Sequence, residues 1–407
     1  MRNKTSTILP VLSAVAAAKP FAAATVSAHR DLALSLLADA ITGGAKRLID
    51  ANERDIASAR KNGARDGTVE KMRLDYVTLG ALCGRIRAMA AAQSPTDVSE
   101  DSISESGVAV RKMHVPLGLI AAVAGANPRR TIESAAQAVK TGNVMLIVRS
   151  ALTPETDAVT SELLSSSFSC SALNVNTVRT VKYSPENVSD LLSRSDTVDA
   201  LLLLASKSQN ESLLERTDIP AVYSDFGTTH MYIDESADAA AAAEACADSF
   251  SGETGPRLSS VLVNWHISDE FLPALEGRAI AAGIELAGDA RVRSTLHGID
   301  EVRTGEFGKA DGRLTVLTVN SLSEALCHIA SHGDGICEGI FTASGDNAKS
   351  FCSSVDAGTV ALNTSFSRIN GFDAGFGADV GISSGKLGRR GVLGLDALTT
   401  VKYIIKG

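Results

Sequence analysis

Between residues 117 and 223 the chain repeats one pattern that few folds can satisfy: a short run apolar on every residue, then a stretch with helical spacing, then another apolar run. "PLGLIAAVAGANP" is followed by "TIESAAQAVKTG" and "NVMLIV". A helical segment at 153–166, a strand near "NTVRTV", a helix at "ENVSDLLSR" and the strands in "VDALLLLA" and "AVYSD" continue the series. A strand that is apolar on both faces must be covered on both, and a helix between successive strands supplies the cover while carrying the chain back for a parallel pairing. The pattern therefore predicts a doubly wound parallel sheet. A second block starts at "HMYIDESAD" and repeats it with a helix at 235–249, the strand "SSVLVN", a helix at 268–282 and the strands "LTVLTV" and "GTVALN". With 407 residues, more than one hydrophobic core is expected, so the fold class is α/β with two Rossmann-like parallel lobes.

Two segments lie outside this alternation. Residues 14–62 have helical spacing with Leu32, Leu36 and Leu37 on one stripe, and Gly43-Gly44 is expected to break the run into two helices. A further helix is expected around "YVTLGALCGRIRAMAAA". Residues 94–112 are polar and then alternate, which suits an exposed β ribbon. The tail "LGLDALTTVKYIIK" ends in a strand with no neighbour in sequence to pair with, so its expected partner is a distant segment or another subunit.

The formal net charge of −8 leaves no excess of cations for phosphate neutralisation, which argues against nucleic acid or an anionic membrane as the main partner. No apolar run is long enough to span a bilayer. The N-terminus, "MRNKTSTILPVLSAVAAAKPFAAA", has the basic and apolar parts of a secretory leader, but Pro10 interrupts it and the spacing continues as a helix. A cytoplasmic protein is expected. Cys83, Cys170, Cys246, Cys327, Cys337 and Cys352 form no CxxC pair and no metal-ligand spacing, so they are expected to be buried thiols in a reducing compartment and no metal is expected.

"SFSGETGPRLSSVLVN", residues 249–264, feeds a Gly/Thr/Pro loop into an alternating apolar strand, a layout that presents a nucleophile in many enzymes, yet it contains neither cysteine nor base. Together with "LIDANERDIASARKNG", "VPLGLIAAV", "KTGN", "HMYIDESAD", "HIASHG" and "GLDALTTVKY", in this order over nearly the whole chain, it resembles gamma-glutamyl phosphate reductase of the aldehyde dehydrogenase superfamily. The resemblance implies a cofactor lobe at 1–93 and 113–228, a catalytic lobe at 229–378, and a β oligomerisation flap with its return segment at 94–112 and 379–407. It also implies NADPH-dependent reduction of gamma-glutamyl phosphate to glutamate 5-semialdehyde in proline synthesis. That chemistry needs a thiolate to form a thioester, donors for the oxyanion and a hydride source.

Carried over residue by residue, the resemblance places the nucleophile at Gly255, which has none. It makes Asn127 the oxyanion donor and puts Arg149, Ser206 and Ser208 at degenerate cofactor positions, the last two in "ASKSQN" where glycines are expected. Thr254, Arg257, His332, Cys337 and Asn363 are assigned to the substrate cleft, with Cys337 where the family has a second histidine. Two other thiols are candidate substitutes: Cys246, about 13 Å upstream along a helix, and Cys337. The glycine-rich segment "NGFDAGFGADVGISSGKLGRRG" lacks phosphate-loop spacing, and its Lys386, Arg389 and Arg390 are expected to be solvated.

The expectation is a catalytically inactive or repurposed relative that binds a metabolite, an active paralogue or glutamate 5-kinase and forms a homo-oligomer. The alternatives are the family's NADPH-linked reaction through an unrecognised nucleophile, and a purely structural oligomeric scaffold.

Overall fold

The computed structural model describes residues 7–223, 227–252, 255–302 and 312–406. The chain forms two compact units: Met1–Tyr223 with Phe376–Val380 and Gly394–Gly407, and Ser224–Gly375 with Gly381–Leu393.

The first unit begins with helices α1 (Ile8–Ala24), α2 (Ser27–Lys61), α3 (Asp66–Met72) and α4 (Tyr76–Ala91), then strands β1 (Ser99–Ile103) and β2 (Ala109–Pro116). The alternating part follows as β3 (Leu119–Val123), α5 (Pro128–Lys140), β4 (Val144–Val148), α6 (Pro154–Ser169), β5 (Val178–Val181), α7 (Pro185–Leu192), β6 (Ala200–Leu203), α8 (Lys207–Leu214) and β7 (Ala221–Tyr223). The five strands from β3 onward pair in parallel in the order β5-β4-β3-β6-β7, the strand reversal of a dinucleotide-fold half. α1 lays Ile8, Leu12 and Val15 into one core cluster with Leu119, Leu146 and Leu201 of the sheet, so the apolar stretch from Ile8 is a core helix.

The break expected at Gly43-Gly44 does not occur: α2 runs through both glycines for 35 residues, and the helix boundary falls at Thr25-Val26 instead. Gly44 sits where α2 crosses α6, and a methyl group there would stand 3.0 Å from a Leu163 methyl. The glycine therefore allows close helix packing and costs the helix about 1 kcal/mol of propensity, which the contact offsets.

The second unit comprises β8 (His230–Ile233), α9 (Ala239–Ser251), β9 (Ser260–Asn264), α10 (Ser268–Ala282), β10 (Glu285–Gly288), α11 (Ala290–Thr295), β11 (Asp300–Glu301), β12 (Arg313–Val319), α12 (Leu322–His332), β13 (Cys337–Phe341), α13 (Gly345–Ser354), β14 (Thr359–Leu362), β15 (Gly381–Ser383) and β16 (Gly391–Leu393). Seven strands form a parallel sheet in the order β11-β10-β12-β9-β8-β13-β14. The second half of "GDGICEGI" is strand: β13 is an interior strand, paired with β8 on one side and β14 on the other. Residues 381–393, expected in the flap, form an antiparallel β15–β16 pair and belong to the second unit.

The C-terminal strand β17 (Thr399–Lys406) pairs antiparallel with β2 of its own chain, from Thr399 opposite Pro116 to Lys406 opposite Ala109. β1 lies on the other side of β2, giving a three-stranded flap. The partner of the tail is thus a segment nearly 300 residues upstream in the same chain. Among the described residues no single helix is long and apolar enough to cross a membrane.

Candidate functional site

The loop that carries Gly255 leaves α9 and enters β9. Leu258 donates its amide to the Ser249 carbonyl at 2.9 Å, and the Thr229 hydroxyl donates to the Arg257 carbonyl at 2.8 Å, so the path of the loop is held from both sides. Gly255 itself has φ +77°, a conformation that L side chains rarely adopt. A Cβ at this position would land on the carbonyl oxygen of Phe366 and stand 3.1 Å from that of Ile369. The 366–369 turn is pinned in turn: Phe366 donates its amide to the Ser249 hydroxyl at 2.9 Å, and the Ser249 and Ser365 hydroxyls lie 3.1 Å apart. Gly255 is therefore a point where two backbones touch, and no side chain fits there. Thr254 lies outside the described residues. The Arg257 guanidinium rests on the Phe250 ring, 4.0 Å from its centre, a cation–π contact.

The two thiols weighed as substitutes are buried in one hydrophobic cluster. Cys246 is fully buried on α9, and burial alone pushes its thiol far above the ordinary range. Cys337 is fully buried in β13, and burial followed by the neighbouring Glu338 charge pushes it the same way. A thiol so disfavoured as a thiolate is a packing group, not a nucleophile. The expectation that all six cysteines are buried is wrong for three of them: Cys170, Cys327 and Cys352 are exposed, and all six are unpaired.

In the segment that follows Arg149, the chain's own carboxylates occupy the backbone donors. Asp55 accepts from the Glu155 amide at 3.2 Å and from the Thr156 amide at 2.8 Å, together with the Thr156 hydroxyl, so the N-terminus of α6 already holds an anion. The Ser150 amide donates to Asp157 at 2.8 Å. Asp157 is buried, and burial pushes its carboxyl up to about 7 against the opposing pull of the Ser150 amide and the Arg149 charge. The turns after β3 and β6, which flank the strand-order reversal, are in contact: a Cβ on Gly125 would stand 2.5 Å from the Leu204 carbonyl oxygen and 2.9 Å from Ala205 Cα. Ser206 and Ser208 are exposed beyond that contact, and the Ser206 amide is bound by Gln209 Oε1 at 3.3 Å at the start of α8. The Asn127 side-chain oxygen caps α5, accepting from the Arg129 amide at 3.1 Å and the Arg130 amide at 3.4 Å.

In the second unit, Asn363 adopts φ +51° and spends both ends of its amide on Thr342, donating to its carbonyl at 2.9 Å and accepting from its amide at 2.8 Å. It fastens the end of β14 to the end of β13. His332 is exposed at the end of α12, its ring 4.4 Å from that of His328 and its Nδ1 3.0 Å from the His328 carbonyl oxygen. Lys386 and Arg390, expected to be solvated, both bind Asp356, Arg390 at 2.8 Å.

Two buried polar groups carried no signal in the sequence. Asp234 accepts from the side chains of Tyr232, Ser236, Thr342 and Asn347. Burial alone would raise its carboxyl, but these bonds hold it below the usual range. Glu338 in β13 and His230 in β8 form a dyad in which Oε2 is 3.0 Å from the ring Nδ1 and accepts the His230 amide at 2.8 Å. They are 108 residues apart, so only the pairing of the two strands creates the dyad. Among the described residues no group of His, Cys, Asp or Glu side chains could hold a metal ion.

Residues 6–293 match the aldehyde dehydrogenase family. The chain is 30% identical over 386 residues to gamma-glutamyl phosphate reductase of Thermobifida fusca, covering 93% of this chain and 92% of that protein. It is 29% identical to the enzyme of that name from Escherichia fergusonii, covering 93% of each. The crystal structure of gamma-glutamyl phosphate reductase from Thermotoga maritima superposes with a TM-score of 0.89 over 98% of both chains at 22% identity, a likeness of fold.

Proposed function

Because this chain belongs to the aldehyde dehydrogenase family, among the gamma-glutamyl phosphate reductases, we propose that it is a member whose acyl-transfer chemistry has ceased and that it acts by binding a partner or a metabolite. One observation carries this reading: at Gly255, where the resemblance puts the family's nucleophile, the backbone of the 366–369 turn occupies the place of a Cβ. A reaction that proceeds through a thioester needs a sulfur there, and neither Cys246 nor Cys337 supplies one from within the core.

The nucleotide positions support the same reading. A nicotinamide cofactor, which the family implies, needs free backbone donors for its phosphates and room at the strand-order reversal. Here Asp55 and Asp157 take the donors and Gly125 meets residues 204–205, so the residues present do not fit the group. Six unpaired cysteines support a reducing, cytoplasmic setting.

The decisive assay supplies the purified chain with glutamate 5-semialdehyde, phosphate and NADP+, the family reaction run in reverse. Turnover is expected to lie at least about 10⁴-fold below that of an intact relative, in line with the loss of a nucleophile elsewhere. NADPH is expected to bind no tighter than about 1 mM by calorimetry. Robust turnover would sink the proposal and return the chain to the enzymes.

The flap supports association with a second copy, an active paralogue or glutamate 5-kinase. β17 is an eight-residue edge strand, and Ile103, Tyr403 and Ile405 stand 77%, 60% and 69% exposed on the flap. A long exposed edge with apolar side chains is a pairing surface in waiting. Replacing these three residues by lysine is expected to convert an oligomer to a monomer in sedimentation velocity, with the circular dichroism unchanged. A parent chain that sediments as a monomer at micromolar concentration would remove self-association and leave the heterologous partners to be tested by mixing.

A further inference from the structure

One row of the second sheet is polar where the rest of that face is apolar. Thr315 of β12, Ser260 of β9, His230 of β8 and Glu338 of β13 are register partners on four neighbouring strands, so their side chains share one face. Each is at most 1% exposed. Thr315 Oγ1, Ser260 Oγ, His230 Nε2 and Glu338 Oε1 have no hydrogen-bond partner among the described residues. Two residues further along the same strands, Leu317, Leu262, Tyr232 and Ile340 pack in one cluster with Ala325 and Ile329, so α12 covers this face. The C-terminal end of α12 lies on the row itself: the His328 ring meets the His230 ring edge-on, 5.2 Å between centres, and a Cβ on Gly333, which ends the helix, would stand 2.6 Å from Glu338 Oε1. We propose that the C-terminal half of α12 is a hinged cover, which lifts from the sheet and lets water onto the polar row while the N-terminal half stays seated.

The two ends of α12 are held unequally. At the N-terminus the Ser321 hydroxyl accepts the Glu324 amide at 3.3 Å, and the Glu324 carboxylate accepts the Asn320 amide and side-chain nitrogen, both at 2.7 Å. That end is fastened twice. From Leu326 to His332 only Ile329 is buried. The chain then enters Gly333-Asp334-Gly335, where Gly335 has φ +69° and Asp334 is tied to the body of the unit by accepting the Thr228 amide at 2.7 Å. A pair of glycines thus flanks a fixed point just beyond the cover.

The balance of forces follows from the row. A buried polar atom without a partner costs about as much as the burial of one aliphatic side chain contributes, and here four such atoms oppose the seating of one isoleucine. Opening restores their hydration. Segments with few buried contacts open locally at free energies well below that of global unfolding, and the second half of α12 has that character.

The test uses the full chain and diethyl pyrocarbonate, which acylates neutral imidazole, with the label at each histidine read by peptide mass spectrometry. His332 is exposed and serves as the internal control, whereas His230 is fully buried and reacts only when the cover lifts. Fraying of the helix end alone leaves His230 unlabelled. His230 is expected to label under native conditions faster than the chain unfolds globally, at a rate that urea below the unfolding transition changes little, because a local opening exposes little surface. Ser260→Ala combined with Thr315→Val removes two of the unpaired hydroxyls and is expected to slow this labelling about tenfold or more, since less is gained by opening. Ile329→Ala removes the seat and is expected to speed it about tenfold or more, with the circular dichroism unchanged. Labelling of His230 that keeps pace with global unfolding, labelling that the folded double variant leaves unchanged or accelerates, or an Ile329→Ala chain that labels no faster than the parent overturns the proposal. The urea dependence of the parent decides the matter even if a variant fails to fold.

Discussion

A Gly255→Cys variant is expected to be less stable than the parent by about 2–4 kcal/mol and to form no acyl thioester. Two costs add. A non-glycine residue held at φ +77° is strained by about 1 kcal/mol, and a side chain forced against packed backbone costs about 1–3 kcal/mol more. The Ser249 bonds that pin the opposing turn deny the loop an easy retreat. Gly255→Ala should lose nearly as much, since the methyl position alone meets the Phe366 carbonyl, and this separates a steric cause from any effect of sulfur. Urea titration gives the stability difference, and mass spectrometry after incubation with an acyl phosphate gives the adduct. A cysteine variant as stable as the parent that also carries an acyl group would mean that the loop has kept the enzyme's geometry and that only a sulfur is missing.

An Asp157→Asn variant is expected to flatten the pH dependence of stability and to exceed the parent by about 1–3 kcal/mol near pH 8. In the folded chain the Asp157 carboxyl titrates at about 7, chiefly through burial, whereas in an unfolded chain it titrates near about 3.9. Between those values the folded state holds a proton that the unfolded state has released. The sign follows: Asp157's contribution is most favourable below about pH 4, and stability is lost as pH rises towards about 7. The window spans about three pH units at about 1.4 kcal/mol each, or ~4 kcal/mol at most. Asparagine keeps an acceptor for the Ser150 amide and carries no charge at any pH, so the difference between the two chains isolates this one group. Chemical denaturation at a series of pH values from about 4 to about 8 measures it. Parallel curves for parent and variant would show that Asp157 titrates normally in the folded chain.

The parallel sheets were legible because a both-faces-apolar strand such as Leu119–Val123 has few alternatives. The errors have a common cause. Gly43-Gly44 looks like a helix break when only the backbone's own preference is counted, but the contact with Leu163 is made by a helix more than 100 residues away. Cys337–Phe341 is an interior strand because β8 and β14 pair with it on either side. Cys170, Cys327 and Cys352 look like core residues by type, yet they are exposed.

The site divides along the same line. Local sequence determines periodicity, the strand and helix alternation and the identity of each residue, because these depend on neighbours a few positions apart. Only tertiary structure decided that Gly255 has no room for any side chain, that Asp55 fills the N-terminus of α6, and that Glu338 is left with one buried oxygen without a partner. Each of those facts is a contact between residues about 100 or more apart, or an atom left over after such contacts are made. Such contacts arise when separate elements pack, and no local pattern encodes them.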